Sequence, residues 1–104
     1  MALGRITQTV EFDEDVPGLE VAFAEVLRTM RAKRDVSQQA LATESGLGRT
    51  YISLLERGLR RPSLATVFLL AQALSVTPME IVAQVDAALR SRMAATKRGM
   101  QRRT

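Results

Sequence analysis

The chain contains no cysteine and no histidine, and these two absences remove most of the reactive side chains open to a small protein. Without thiols there are no disulfides, no thiolate nucleophile and no sulfur ligands for zinc. Without imidazole, the common nitrogen ligand and the general base that titrates near neutrality are also gone. No apolar run approaches the roughly 20 residues needed to span a bilayer. The first residues also lack the basic start and apolar stretch of an export signal. A cytoplasmic protein with no cofactor and no membrane partner is therefore expected. Catalysis would have to run on carboxylates alone, and no Asp/Glu pair stands at a spacing that suggests it. An enzyme is the weakest reading from the outset.

What is present fits one compact domain with short appendages: 104 residues, 46% hydrophobic and 25% charged, enough for a modest core without metals. The net charge of +4 is unevenly spread. Residues 1–20 set Arg5 against Glu11, Asp13, Glu14, Asp15 and Glu20. Residues 90–104 carry Arg90, Arg92, Lys97, Arg98, Arg102 and Arg103 and no acid. A basic tail behind an acidic start suggests a polyanionic partner, with a merely solvated tail as the equal alternative.

Hydrophobic periodicity divides the chain into an arm over 1–18, a helical domain over 19–92 and a basic tail over 93–104. In the arm, Ile6, Gln8, Val10 and Phe12 alternate with Thr7, Thr9 and Glu11, the pattern of a β-strand that would need a partner. From Leu19 the period becomes helical, and Phe23, Val26, Leu27 and Met30 mark a first helix to about Arg34. Ser37 caps a second helix to about Glu44, with Leu41 and Ala42 facing inward; Gly46 supplies a tight turn. A third helix spans about Arg49–Arg57, stopped by Gly58. Pro62-Ser63 opens a fourth, with Leu64, Val67, Leu70, Ala71 and Leu74 on its apolar face. Thr77-Pro78-Met79-Glu80 is a capping box that starts a fifth helix, expected to reach about Arg92 before the tail frays.

Two short helices joined by a turn form the unit that reads DNA. Leu47, Ile52 and Leu55 fix one face of the third helix inward, leaving Arg49, Thr50, Ser53, Leu54 and Arg57 on the outer arc. A basic, hydrogen-bonding arc at the start of a helix suits the major groove.

The stretches Leu27–Arg31, Val36–Ala42, Gly46-Leu47, Arg49–Ser53, Leu55–Gly58 and Pro62–Leu64 resemble the Xre family. That family has the all-α, five-helix domain of phage Cro and lambda-type repressors, and the likeness covers about residues 23–85. Within it, Arg49-Thr50-Tyr51-Ile52-Ser53 followed by Glu56-Arg57 is similar to the controller proteins of restriction–modification systems. The resemblance implies double-stranded DNA as partner, with roles for individual residues. Gln38 matches the glutamine that bonds a backbone phosphate, and Arg49 and Thr50 match positions that enter the major groove. Tyr51 and Ser53 would neighbour phosphates, and Leu54 stands where relatives place a polar base reader. Arg57, Arg60 and Arg61 would grip phosphates, with Arg60 a second candidate base reader. Arg31 and Glu56 match an ion pair that locks the first helix to the third. One departure is Gly48, where relatives place a Ser or Thr cap.

A single such domain touches few base pairs, so a homodimer on two half-sites is expected. Leu69, Met79, Val82, Val85 and Leu89 offer an apolar stripe for its interface. The rival from another class is a protein-binding module, an antitoxin-like protein whose N-terminal strand neutralises a toxin and which also represses its own promoter.

Overall fold

Five helices follow one another in the structure, a computed structural model that describes the backbone of residues 15–103 and the side chains of residues 15–95. They are α1 (Leu19–Lys33), α2 (Gln38–Ser45), α3 (Arg49–Glu56), α4 (Leu64–Leu74) and α5 (Pro78–Arg103). No strand occurs among the described residues. The strand expected over Ile6–Phe12, and with it the surface of the antitoxin-like reading, lies outside them. No single helix among the described residues is long and apolar enough to cross a membrane.

Three helix starts and three helix ends have a local cause in side-chain caps or left-handed residues. Ser37 Oγ accepts the Ala40 N–H at 3.0 Å and Ser63 Oγ accepts the Thr66 N–H at 3.0 Å, starting α2 and α4. At α5 the capping box closes in both directions: the Thr77 N–H donates to Glu80 at 2.9 Å, and the Glu80 N–H donates to Thr77 Oγ1 at 3.1 Å. Thr77→Ala is therefore expected to lower unfolding free energy by about 1 kcal/mol. A urea melt checks this through a shifted midpoint at unchanged slope, and Thr77→Ser should restore the midpoint. Gly46 ends α2 at φ 77°, a left-handed conformation that costs glycine little, and its N–H bonds Ala42 O. Two other helices end without glycine. Asp35 and Ser75 adopt φ 55° and 57°, and the Val36 and Val76 N–H groups reach back to Arg31 O and Ala71 O. These are the six-to-one closures of Schellman-type ends.

The core draws on all five helices: Phe23, Val26, Leu27 and Met30 of α1, Leu41 and Ala42 of α2, Ile52 and Leu55 of α3, Val67, Leu70, Ala71 and Leu74 of α4, and Ile81 and Val85 of α5. Three expectations are corrected. Leu64 is 71% exposed, because it occupies the first turn of α4 and points off the core. Val85 is 7% exposed and belongs to the core, four residues after buried Ile81; Leu89, one turn further, packs half-buried against it. A charge at Val85 thus tests folding and not assembly. Finally, α5 does not end near Arg92 but continues to Arg103. Ala94, Ala95, Lys97, Arg98, Met100 and Gln101 are good helix formers, and cations near a helix C-terminus are favoured by its dipole.

Candidate nucleic-acid interface

Helix α3 has a sharp division of faces. Ile52, Leu55 and Glu56 are buried; Tyr51, Ser53 and Leu54 are half-buried; Arg49, Thr50 and Arg57 are exposed. Its approach is set by α2, the left-handed Gly46 and the short link Leu47-Gly48. Gly48 has ordinary extended dihedrals and gives no side-chain cap, so no side chain closes the N-terminal end of α3. A Cβ there would meet nothing within 4 Å, so glycine is not required for space.

Beneath this helix lies its anchor. Glu56 is 4% exposed and accepts two bonds from Arg31, Nε at 2.6 Å and Nη2 at 3.0 Å, and a third from Gln38 Nε2 at 2.9 Å. Arg31 also donates to Val36 O at 2.9 Å, while Arg28 donates to the Glu56 carbonyl. One carboxylate thereby ties α1, α2 and α3 together. Burial by itself pushes the Glu56 carboxyl up. The hydrogen bonds from Arg31 and Gln38, with the charges of Arg31 and Arg28, outweigh it and hold the group below the ordinary value. The Arg31 guanidinium is correspondingly raised by its bond to Glu56.

The remaining residues divide by partner. Gln38, matched to a phosphate-binding glutamine, donates one amide N–H to Glu56. The Tyr51 hydroxyl bonds Thr66 Oγ1 at 3.1 Å, and Ser63 Oγ joins the same atom at 3.0 Å, so Tyr51 fastens α3 to α4. Arg61 has acidic partners within the chain. Its half-exposed guanidinium pairs with Asp15 at 2.6 Å, ahead of α1, and with Glu20 at 2.7 Å, in the first turn of α1, so a phosphate there would have to displace two carboxylates. Arg49, Arg57 and Arg60 are exposed, and no carboxylate pairs with any of them among the described residues. Arg28 and Thr66 went unread in the sequence. Arg28 lies one helical turn before Arg31 on α1, and Ser63-x-x-Thr66 has the spacing of a side-chain cap, so both carried a signal.

A short helix with unpaired arginines outside, seated by a preceding helix and a glycine turn, defines a helix-turn-helix protein of the DNA-binding class. A family model described as "Helix-turn-helix" matches residues 27–81, more than half of the chain. The chain belongs to that family, and within it to the Xre type. The HTH-type transcriptional regulator y4dJ of Sinorhizobium fredii is 39% identical over 57 residues, 55% of this chain and 74% of that protein. The restriction-modification controller protein C.AhdI from Aeromonas hydrophila superposes with a TM-score of 0.58 at 42% identity, covering 60% of this chain and 94% of that one. The controller protein C.Esp1396I, solved as a tetramer with its natural 35 base-pair operator, superposes with a TM-score of 0.64 at 27% identity, over 68% of this chain and 93% of that one.

Proposed function

We propose that the chain is a sequence-specific transcriptional regulator whose homodimer lays α3 of each protomer in the major groove of a two-half-site operator. The carrying observation is the outer arc of α3, where Arg49, Thr50 and Arg57 stand exposed and unopposed by carboxylates among the described residues. Arg49 lies at the open end of the helix and reads a base; its two parallel donors match guanine O6 and N7. Arg57 and Arg60 hold phosphates. The operator complex of C.Esp1396I supports this reading through a relative of the same fold. Selection from a random duplex pool tests it. An enriched two-fold motif with half-sites about one helical turn apart, 10–10.5 base pairs, is expected. No enrichment and no retention of any duplex at low salt would overturn it.

The dimer surface is revised by burial. Leu69 is 37%, Val82 53% and Met79 78% exposed, with Phe68 beside them at 55%, whereas Val85 and Leu89 lie inward. The four exposed residues form one apolar patch over α4 and the start of α5, of the kind that marks a partner site. Leu69→Glu should halve the mass found by sedimentation and weaken operator binding, while stability shifts by no more than about 0.5 kcal/mol, as is usual at the surface. An unchanged mass would remove this interface.

A further inference from the structure

Leu89 is the last of the described side chains of α5 to pack on the core, yet the helix continues to Arg103. At the usual rise this projects it about 20 Å further. Residues 90–95 are all exposed, so burial does not account for that part of the extension. Its composition points to a ligand class. Residues 90–103 hold six bases and no acid, and only Arg90 is paired in the described region, with Asp86 one turn back at 3.1 Å. The sequence over 90–103 offers only Met93 and Met100 as large apolar residues, too few for the apolar face that a membrane-surface helix needs.

Its position supplies the second observation. The Leu89 and Arg92 side chains lie 3.8 and 3.9 Å from where a Cβ on Gly18 would stand, at the start of α1. Two residues on, the Glu20 carbonyl and Val21 lie 3.6 Å from the corresponding point on Gly58, the residue that follows α3 and its cap. Arg61 is bonded to the same end of α1. The α5 turn carrying Arg92, the start of α1 and the arginine-bearing segment after α3 therefore form one continuous edge, and the basic extension leaves from it.

We propose that the α5 extension is a second DNA-binding element, which grips the phosphodiester backbone flanking the half-site read by α3 without reading its sequence. The inference rests on the DNA-binding reading above. It is tested in the full chain carrying Lys97→Gln, Arg98→Gln, Arg102→Gln and Arg103→Gln together, since glutamine keeps helix propensity while removing charge. Affinity is measured against salt on the selected operator and on an unrelated duplex. Each lost phosphate contact lowers the log–log salt slope by about 0.9, so loss of two or more should flatten it by about 2 or more. Affinity should fall by the same factor on both duplexes. An unchanged slope overturns the proposal and leaves the extension to pair with the acidic start of its own or a second chain. A loss confined to the operator, or a halved sedimentation mass, overturns it by making the extension an assembly element. Failure of the unsubstituted protein to bind either duplex would instead remove the DNA-binding reading itself.

Discussion

Glu56→Ala is expected to destabilise the domain by about 3 kcal/mol, which for a domain of this size lowers the melting temperature by on the order of 10–20 °C. Removing one partner of a buried pair costs more than the pair itself contributes, because the other charge stays behind. Here the substitution orphans two Arg31 donors and the Gln38 amide at once. The side chain of Arg31 is 22% exposed and can recruit water, which keeps the effect at the lower end for buried pairs. Gln38→Ala removes a single bond and should cost only about 1 kcal/mol. The pH dependence has a definite sign. Because the folded pKa of Glu56 lies below its ordinary 4.5, its contribution is complete above that value and is lost as pH falls through the folded pKa. Melting temperature should therefore drop in acid more steeply for the parent than for Glu56→Gln. Parallel curves would show that Glu56 does not supply the acid sensitivity.

Much of this architecture was legible because its determinants are local. A serine three residues before the N–H that it caps, a Thr77–Glu80 box and Gly46 between two short helices are read within one turn of chain. Helix starts at Gln38, Arg49 and Pro78 followed from them, and the start at Leu19 from the change to helical periodicity. Burial around a long helix is not local. Val85 and Leu89 read equally well as an outer stripe, since the side of α5 that meets the core depends on how it crosses α1 and α4. Apolar periodicity alone does not mark the end of α5, because residues 93–103 hold helix formers but few large apolar side chains, and there propensity decides. Periodicity marks the ends of α1 and α4 closely, but not the left-handed Asp35 and Ser75 that close them, since neither is glycine. At the interface, the outer arc of α3 was readable from periodicity, and the Arg31–Glu56 pair from resemblance. Arg61 was not. Its carboxylate partner Asp15 lies 46 residues away, and nothing near Arg61 distinguishes it from Arg57 or Arg60.

That distinction fixes what arginine substitutions should do. Arg49→Ala is expected to remove about 1–3 kcal/mol of discrimination at one base position in each half-site, a factor of roughly 5 to 150. Preference elsewhere in the operator should remain intact. Binding-site selection repeated with the variant checks this directly: one symmetric pair of positions should become degenerate. Arg57→Ala, at the other end of the helix, should weaken every duplex alike and lower the salt slope by about 0.9 per protomer. Arg61→Ala should do less than Arg57→Ala. To reach a phosphate, Arg61 must first leave Asp15 and Glu20, so binding there exchanges one set of anions for another. Asp15→Asn combined with Glu20→Gln should accordingly strengthen binding to all sequences, and Arg61→Ala placed on that background should cancel the gain. Identical profiles for Arg49→Ala and Arg57→Ala would mean that neither arginine reads a base. The specificity of the protein would then have to reside in the shape of the duplex.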